Sequence, residues 1–282
     1  VVMYEDAREI FNYLPIRRNT PENDYINHLW NTFVLLEKAE RLWERDQNGF
    51  AVSDDSLKDA RPFAVMPVHL LFMMAIQYKV LRIYKEQKEK YNLALAIKNL
   101  RDEEKDVLAP ESPLTIAFLG ESAIVDFLKI AGLSADDARN IKKSIIRYRN
   151  DKIAHAKGYI ELEIEGKIAE YFNWLNILQK VYLDMNQEVA DNWLSEIQIG
   201  DDMEPFLETR FLASCLSSRD FGDIIGKMLE AKQLNYGQWE QIVNKGLELS
   251  HDQTILALRA IAENELDDGK RFGAIRFLKD NG

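Results

Sequence analysis

Cysteine is nearly missing from this chain. Cys215 is the only one in 282 residues, so no intrachain disulfide and no thiolate metal cluster can form, and a reducing compartment fits best. Glycine (13) and proline (7) are scarce as well, which leaves few turns and long elements. None of the four histidines stands in an H-E-x-x-H pattern, so a zinc or di-iron bundle is not supported and no metal or cofactor is expected. No G-x-x-x-x-G-K-S/T or G-x-G-x-x-G run gives a nucleotide-binding loop. No apolar run reaches the ~20 residues of a membrane span; Ala64 to Ile76 is shorter and carries His69. Val1 to Tyr13 is acidic and lacks the basic-then-apolar pattern of a signal peptide, and the expected location is cytoplasmic. Net positive charge is missing too. The formal charge of −11 rules out a uniformly basic nucleic-acid coat but leaves room for a local basic patch.

What is present is helical. With 46% hydrophobic and 29% charged residues the chain is an ordinary globular sequence. Ile26, Leu29, Trp30, Phe33, Leu36 and Trp43 recur at helical spacing and predict an amphipathic helix from Pro21 to Arg45. After a polar connection, Gln47 to Arg61, Pro67 opens a second helix that is apolar on all sides from Val68 to Ile83, as the centre of a bundle requires. Its charged end, Tyr84 to Tyr91, is expected to project into solvent. Leu100 to Pro113 reads as a break, and Ala123 to Lys129 as a third helical region capped by Gly120, Glu121 and Ser122. Ser134 with Asp137 is a helix-start signal for a helix from Ala135 to His155 that stops near Gly158. Tyr159 to Ile164 alternates apolar and acidic residues and reads as a short hairpin arm. A further helix is expected over Ile168 to Val189.

These patterns predict an all-α protein. An N-terminal arm (1–20) precedes an up-and-down four-helix bundle (21–190). After Asp191 the helices shorten, at Glu204–Leu216, Phe221–Lys232, Tyr236–Leu249, Gln253–Asn264 and Lys270–Lys279. Residues 191–282 are therefore expected to be a smaller helical accessory domain, with its boundary expected in the stretch Ile197 to Met203 and no clear repeat.

One segment concentrates positive charge. Between Arg139 and Lys157 stand Arg139, Lys142, Lys143, Arg147, Arg149, Lys152 and Lys157, with Asp151 the single acid. Phosphate is the ligand that suits such a stripe, and RNA the expected partner. A solvated helix face is the plain alternative. The stripe ends in Arg149-Asn150-Asp151-Lys152-Ile153-Ala154-His155. A histidine with a pKa of ~6.5 moves protons at neutral pH. An arginine keeps its charge and presents a planar fork to phosphate. Together they are the parts needed to cut a phosphodiester without metal, with an RNA 2′-hydroxyl as the nucleophile and charge on phosphorus stabilised by the guanidinium. Asp151 lies four residues before His155 and shares its helix face, so it is placed to orient the imidazole. The alternative for His155 is a cation at the last turn of its helix.

The run Arg149-Asn150-x-x-x-Ala154-His155 resembles the R-x(4–6)-H signature of the HEPN superfamily, including a polar residue right after the arginine. Its place near the end of the third bundle helix, with one more helix to follow, is similar too. The resemblance covers the bundle and not the carboxy-terminal part. It implies a metal-independent endoribonuclease of toxin–antitoxin, phage-defence or RNA-processing systems, working as a homodimer in which two motifs converge on one cleft. Arg149 and His155 would be catalytic and Asn150 would shape the site. Some members of the superfamily only bind, and this bundle is larger than a minimal domain of that kind. The alternative expectation is a non-catalytic interaction module, an antitoxin or scaffold subunit.

Other candidates have plainer readings. His69, in the most apolar helix, is expected to be a core or interface histidine. Tyr171, Phe172, Trp174 and Tyr182 fall at helical spacing and are expected in the core. Cys215 reads as a small buried apolar residue. The acidic carboxy-terminal region is a candidate regulatory contact for a protein partner.

Overall fold

A computed structural model describes residues 7–15, 20–46, 61–96, 102–154, 164–198, 200–264 and 268–281. The fold is all-α, with no strand among the described residues. No helix among them is long and apolar enough to cross a membrane. The chain divides into two compact units, Val1–Leu178 and Gln179–Gly282.

In the first unit, α1 (Pro21–Asp46) packs on α2 (Val65–Glu86). The inner face of α1 buries Ile26, Leu29 and Phe33, the stripe its periodicity predicts. Pro67 sits in the first turn of α2, where its missing N–H costs no helical hydrogen bond. From Leu71 to Ile83 every residue of α2 is buried, so this is the enclosed helix of the unit. Enclosure forces its polar side chains to find partners. Arg82, for example, donates through Nε to both carboxylate oxygens of Glu86, at 2.9 Å each.

The far end of α2 departs from expectation. The helix stops at Gln87, whose backbone (φ −135°, ψ 53°) is non-helical. The chain then restarts as α3 (Lys88–Ala96). Lys88, Glu89 and Lys90 are exposed, but the break turns Tyr91 inward. It is fully buried, and its hydroxyl donates to the Val107 carbonyl at 2.7 Å. The expected break after Leu100 holds a 3-10 helix, Asp102–Leu108, and a single turn, Pro113–Ile116.

Gly120 caps α4 (Glu121–Phe127) with φ +73°, a conformation that favours glycine. Ser134 starts α5 (Ala135–Ile141) as its sequence predicts, its Oγ accepting from the Asp137 N–H at 3.0 Å. From there the helix is wound differently. Lys142–Arg147 and Arg149–Ala154 are π-helical. The predicted end of this helix at His155 lies outside the described residues, as does the predicted hairpin of Tyr159 to Ile164 except for Ile164, which is helical and opens α6 (Ile164–Val181).

The predicted fourth helix is two. The chain breaks at Tyr182 and resumes as α7 (Leu183–Glu196). The division between units falls at Leu178, inside α6 and ahead of the boundary expected from sequence. The reason is packing: Val189, Ala190, Trp193 and Leu194 of α7 join one apolar cluster with Phe221, Ile224 and Trp239. An unbroken run of apolar periodicity does not reveal which core each turn faces.

The second unit adds α8 (Met203–Ala213), α9 (Ser218–Glu230), α10 (Tyr236–Leu249), α11 (His251–Asn264) and α12 (Asp268–Asn281). Two of its helices start identically. Ser217 and Asp220 exchange side-chain-to-backbone bonds before Phe221, and Asn235 and Gln238 do so before Trp239. Both aromatics are fully buried. Each is followed at the same offset by a buried aliphatic pair, Ile224-Ile225 and Ile242-Val243. This is a local repeat of cap and core that differing residue types conceal in the sequence. The helices lie close: a Cβ added to Gly222 of α9 would come 2.2 Å from Gln253 Cβ of α11.

Candidate functional site

The π-wound segment after α5 carries the motif, and its register decides which side chains face inward. Ile141 and Ile145 are buried, and Arg149 follows four residues later on the same side. Arg149 is thus half turned into the protein, with 21% of its side chain exposed. Its Nη2 forms an ion pair with Glu121 Oε2 at the start of α4. The second oxygen, Glu121 Oε1, lies 3.0 Å from His69 Nε2 on α2. His69 Nδ1 lies 3.0 Å from the Tyr171 hydroxyl on α6. Four helical segments thereby contribute to one polar chain, Arg149–Glu121–His69–Tyr171.

Protonation along this chain follows from its charges. Burial alone would raise the Glu121 pKa, but hydrogen bonds from His69 and Arg149 and their positive charge hold it below its ordinary range. Burial, with the nearby Glu121 carboxylate, pushes the Tyr171 phenol well above its ordinary range. With Glu121 ionised, His69 Nε2–H donates to Glu121 Oε1, and Nδ1 shares a hydrogen bond with the Tyr171 hydroxyl. Both ring nitrogens of His69 are thus occupied, and the Glu121 carboxylate balances the charge of Arg149. Arg149 Nε is enclosed and makes no hydrogen bond to a described residue.

His69 is buried, as expected, but it is no mere filler. Glu121 was predicted only as part of a helix cap, and Tyr171 only as core. The missed signals were a histidine in an apolar helix, which needs partners once enclosed, and Arg149 four residues beyond Ile145.

The other predicted residues are spread over the same helix. Arg139 is exposed and bonds Asp136 at 3.0 Å. Lys142 and Lys129 both hold Asp126, at 2.7 and 2.8 Å. Burial would raise the Asp126 pKa, but those two contacts bring it below the ordinary range. Arg147 Nε donates to Asp151 Oδ2 at 3.2 Å, so the acid expected to orient His155 is occupied by its own neighbour one turn back. Asn150 is half-buried and Lys143 exposed. Lys143 makes no ion pair among the described residues. The side chain of Lys152 and all of His155 and Lys157 lie outside the described residues. Beside the segment, Lys167 Nζ stands 4.0 Å above the Tyr148 ring. A groove of about 880 Å³ between α3 and α4 is lined by Lys90, Leu93, Ala94, Asp126, Phe127, Lys129 and Ile130 and includes no motif residue. Among the described residues no group of three His, Cys, Asp or Glu could hold a metal ion.

No known family's model matches the chain, and neither a curated protein nor a solved structure matches it.

Proposed function

We propose that this chain is an endoribonuclease of the HEPN type that cuts RNA without metal, as a homodimer whose cleft is built from both subunits. In this reading one imidazole, that of His155, takes the proton of an RNA 2′-hydroxyl. The oxygen attacks the adjacent phosphorus, and the bond to the 5′-oxygen breaks. The leaving oxygen takes a proton from an imidazolium, for which the partner copy of the motif is available. The products are a 2′,3′-cyclic phosphate and a 5′-hydroxyl. Arg149 stabilises the charge that develops on the phosphoryl oxygens. Asn150 shapes the site, Asp151 serves it through Arg147, and Arg139, Lys142, Lys143, Arg147, Lys152 and Lys157 hold the RNA backbone.

The observation that carries the reading is Arg149 itself. Its guanidinium is half-buried at the end of the basic stripe and tethered by one carboxylate. It also stands in a π-wound stretch, a rare winding that is frequent at functional sites. The test is RNA digestion in excess EDTA by the parent, His155→Ala and Arg149→Lys proteins, with products identified by mass. The parent should release cyclic phosphate ends. His155→Ala should release none, and Arg149→Lys, which keeps a charge beside Glu121 but loses the fork, should be strongly impaired. An inactive parent, or full activity in His155→Ala, sinks the proposal.

One observation favours a second reading, a non-catalytic interaction module. Arg139, Lys142 and Arg147 already pair with Asp136, Asp126 and Asp151. Such partly exposed pairs are weak and exchange readily for a polyanion, so they do not displace the first reading. A parent that binds an acidic protein and leaves RNA intact would establish the second.

A further inference from the structure

The polar chain behind Arg149 has a use beyond satisfying buried groups. We propose that Glu121, itself fixed by His69 and Tyr171, is the positioning residue for Arg149 and presets its guanidinium for phosphodiester cleavage. The purpose rests on the ribonuclease reading above; the contact rests on geometry alone.

An arginine side chain turns about several bonds, and a loose guanidinium must be ordered anew in each encounter with substrate. A charge-stabilising group works best when it is already aimed. A carboxylate gripping only the arginine would swing with it. Glu121 is held at both oxygens, one by Arg149 Nη2 and the other by His69 Nε2 at 3.0 Å. His69 is fixed in turn by the Tyr171 hydroxyl at 3.0 Å, and the two rings meet edge to face with centroids 5.9 Å apart. His69 and Tyr171 are essentially unexposed, so this end of the chain is anchored in the packed interior. The nearby acid on the same helix, Asp126, is occupied by Lys129 and Lys142 and does not compete. The grip is also partial. Glu121 takes Nη2, and Nε is enclosed with no hydrogen bond to a described residue, while 21% of the side chain stays exposed.

The experiment compares the full-length parent with Glu121→Gln, Glu121→Asp and Tyr171→Phe, measuring kcat and KM on a defined RNA in EDTA, thermal unfolding, and the NMR signals of the Arg149 guanidinium. Glu121→Gln keeps shape but loses the charge and replaces one of the two acceptor oxygens with an NH2 donor, so it can no longer hold both Arg149 and His69. Its kcat should fall about 10²-fold, the size expected for a misplaced reacting group, with KM nearly unchanged and the protein, though melting somewhat lower, still fully folded at the assay temperature. Its Arg149 signals should change from restrained to freely rotating. Glu121→Asp should recover part of kcat, and Tyr171→Phe should show a smaller loss of the same kind. A Glu121→Gln protein with parental kcat overturns the proposal. So does a fall in activity matched by loss of folded protein, or an Arg149 guanidinium that already rotates freely in the parent. A parent with a restrained Arg149 that cuts no RNA overturns the ribonuclease reading, and with it the catalytic purpose given to Glu121, while the NMR response to Glu121→Gln still decides whether the tether exists.

Discussion

His69 Nε2 lies 3.0 Å from Glu121 Oε1, so the histidine enclosed in the most apolar helix is the link between the core and the carboxylate that grips Arg149. A side chain with no exposure thereby reaches a site open to solvent through a single neighbour.

That link makes His69 costly to replace with a hydrocarbon. His69→Leu fills the space but leaves the Tyr171 hydroxyl and one Glu121 oxygen without their partner. Orphaned buried groups of this kind cost about 1–3 kcal/mol each, so the expected loss is about 2–6 kcal/mol. Urea unfolding measures it as a lower midpoint at unchanged slope. His69→Gln, which can still bond on one side, should lose less. A parental midpoint in His69→Leu would show that the helix treats this position as ordinary core.

Acid should undo the same contact. The folded-state pKa of Glu121 is depressed below its ordinary value of 4.5 by His69 and Arg149, against the opposing effect of burial. A depressed carboxyl contributes stability that is fully present above the unfolded value and is lost as pH falls through the folded one. Stability of the parent should therefore decline from about pH 5 downward. Glu121→Gln should decline less steeply over that window. Part of the slope will remain, because Asp126 is depressed in the same direction by Lys129 and Lys142. Unfolding free energies at a series of pH values, parent against Glu121→Gln, give the difference directly. Equal slopes would mean that Glu121 is not held ionised by its neighbours.

The helices were legible where one face is apolar and a cap is explicit. Pro21, Pro67 and the Ser134–Asp137 pair mark starts that the structure keeps. The breaks at Gln87 and Tyr182 were not legible, because neither carries glycine or proline; the apolar pattern runs through Tyr182, and the charged run around Gln87 fits an exposed helix end equally well. The π winding after Ile141 was invisible for a similar reason, since composition hardly distinguishes i+4 from i+5 bonding. At the site, Arg149 stood out by charge and spacing. Its partners did not: Glu121, His69 and Tyr171 lie far apart in sequence, and only packing brings them together. The cap-and-core repeat of α9 and α10 was hidden because serine with aspartate and asparagine with glutamine perform one job with different atoms.

In the second unit, Gly222 is expected to tolerate no side chain. A Cβ there would lie 2.2 Å from Gln253 Cβ and 2.8 Å from Ser250 Oγ. Ser250 is itself fixed, its hydroxyl donating to the Ser218 carbonyl at 2.6 Å. Gly222→Ala must therefore push α9 and α11 apart, although alanine favours helix. Overpacking of this kind costs about 1–3 kcal/mol. Hydrogen exchange should show the loss in residues 179–282, with protection of α2 and α4 unchanged. Gly226→Ala is the control, since its Cβ would meet Ala257 Cβ at an ordinary 3.6 Å, and it should be neutral or stabilising.

The basic stripe makes its own prediction about salt. Each phosphate neutralised by a lysine or arginine releases counterions, and binding then weakens with salt at a slope of about 0.7 per contact on a single strand. Lys143 is exposed and unpaired among the described residues, so it has no carboxylate to leave before meeting RNA. Lys143→Glu should weaken RNA binding and reduce the slope of log affinity against log salt by about that amount. Lys279→Glu, an exposed lysine of α12, changes the total charge equally and should leave the slope alone, which separates a local contact from bulk repulsion. Filter binding or fluorescence titration from low to physiological salt reads both variants. If the two slopes match the parent's, the stripe from Arg139 to Lys157 is a solvated face and not the track of a phosphate backbone.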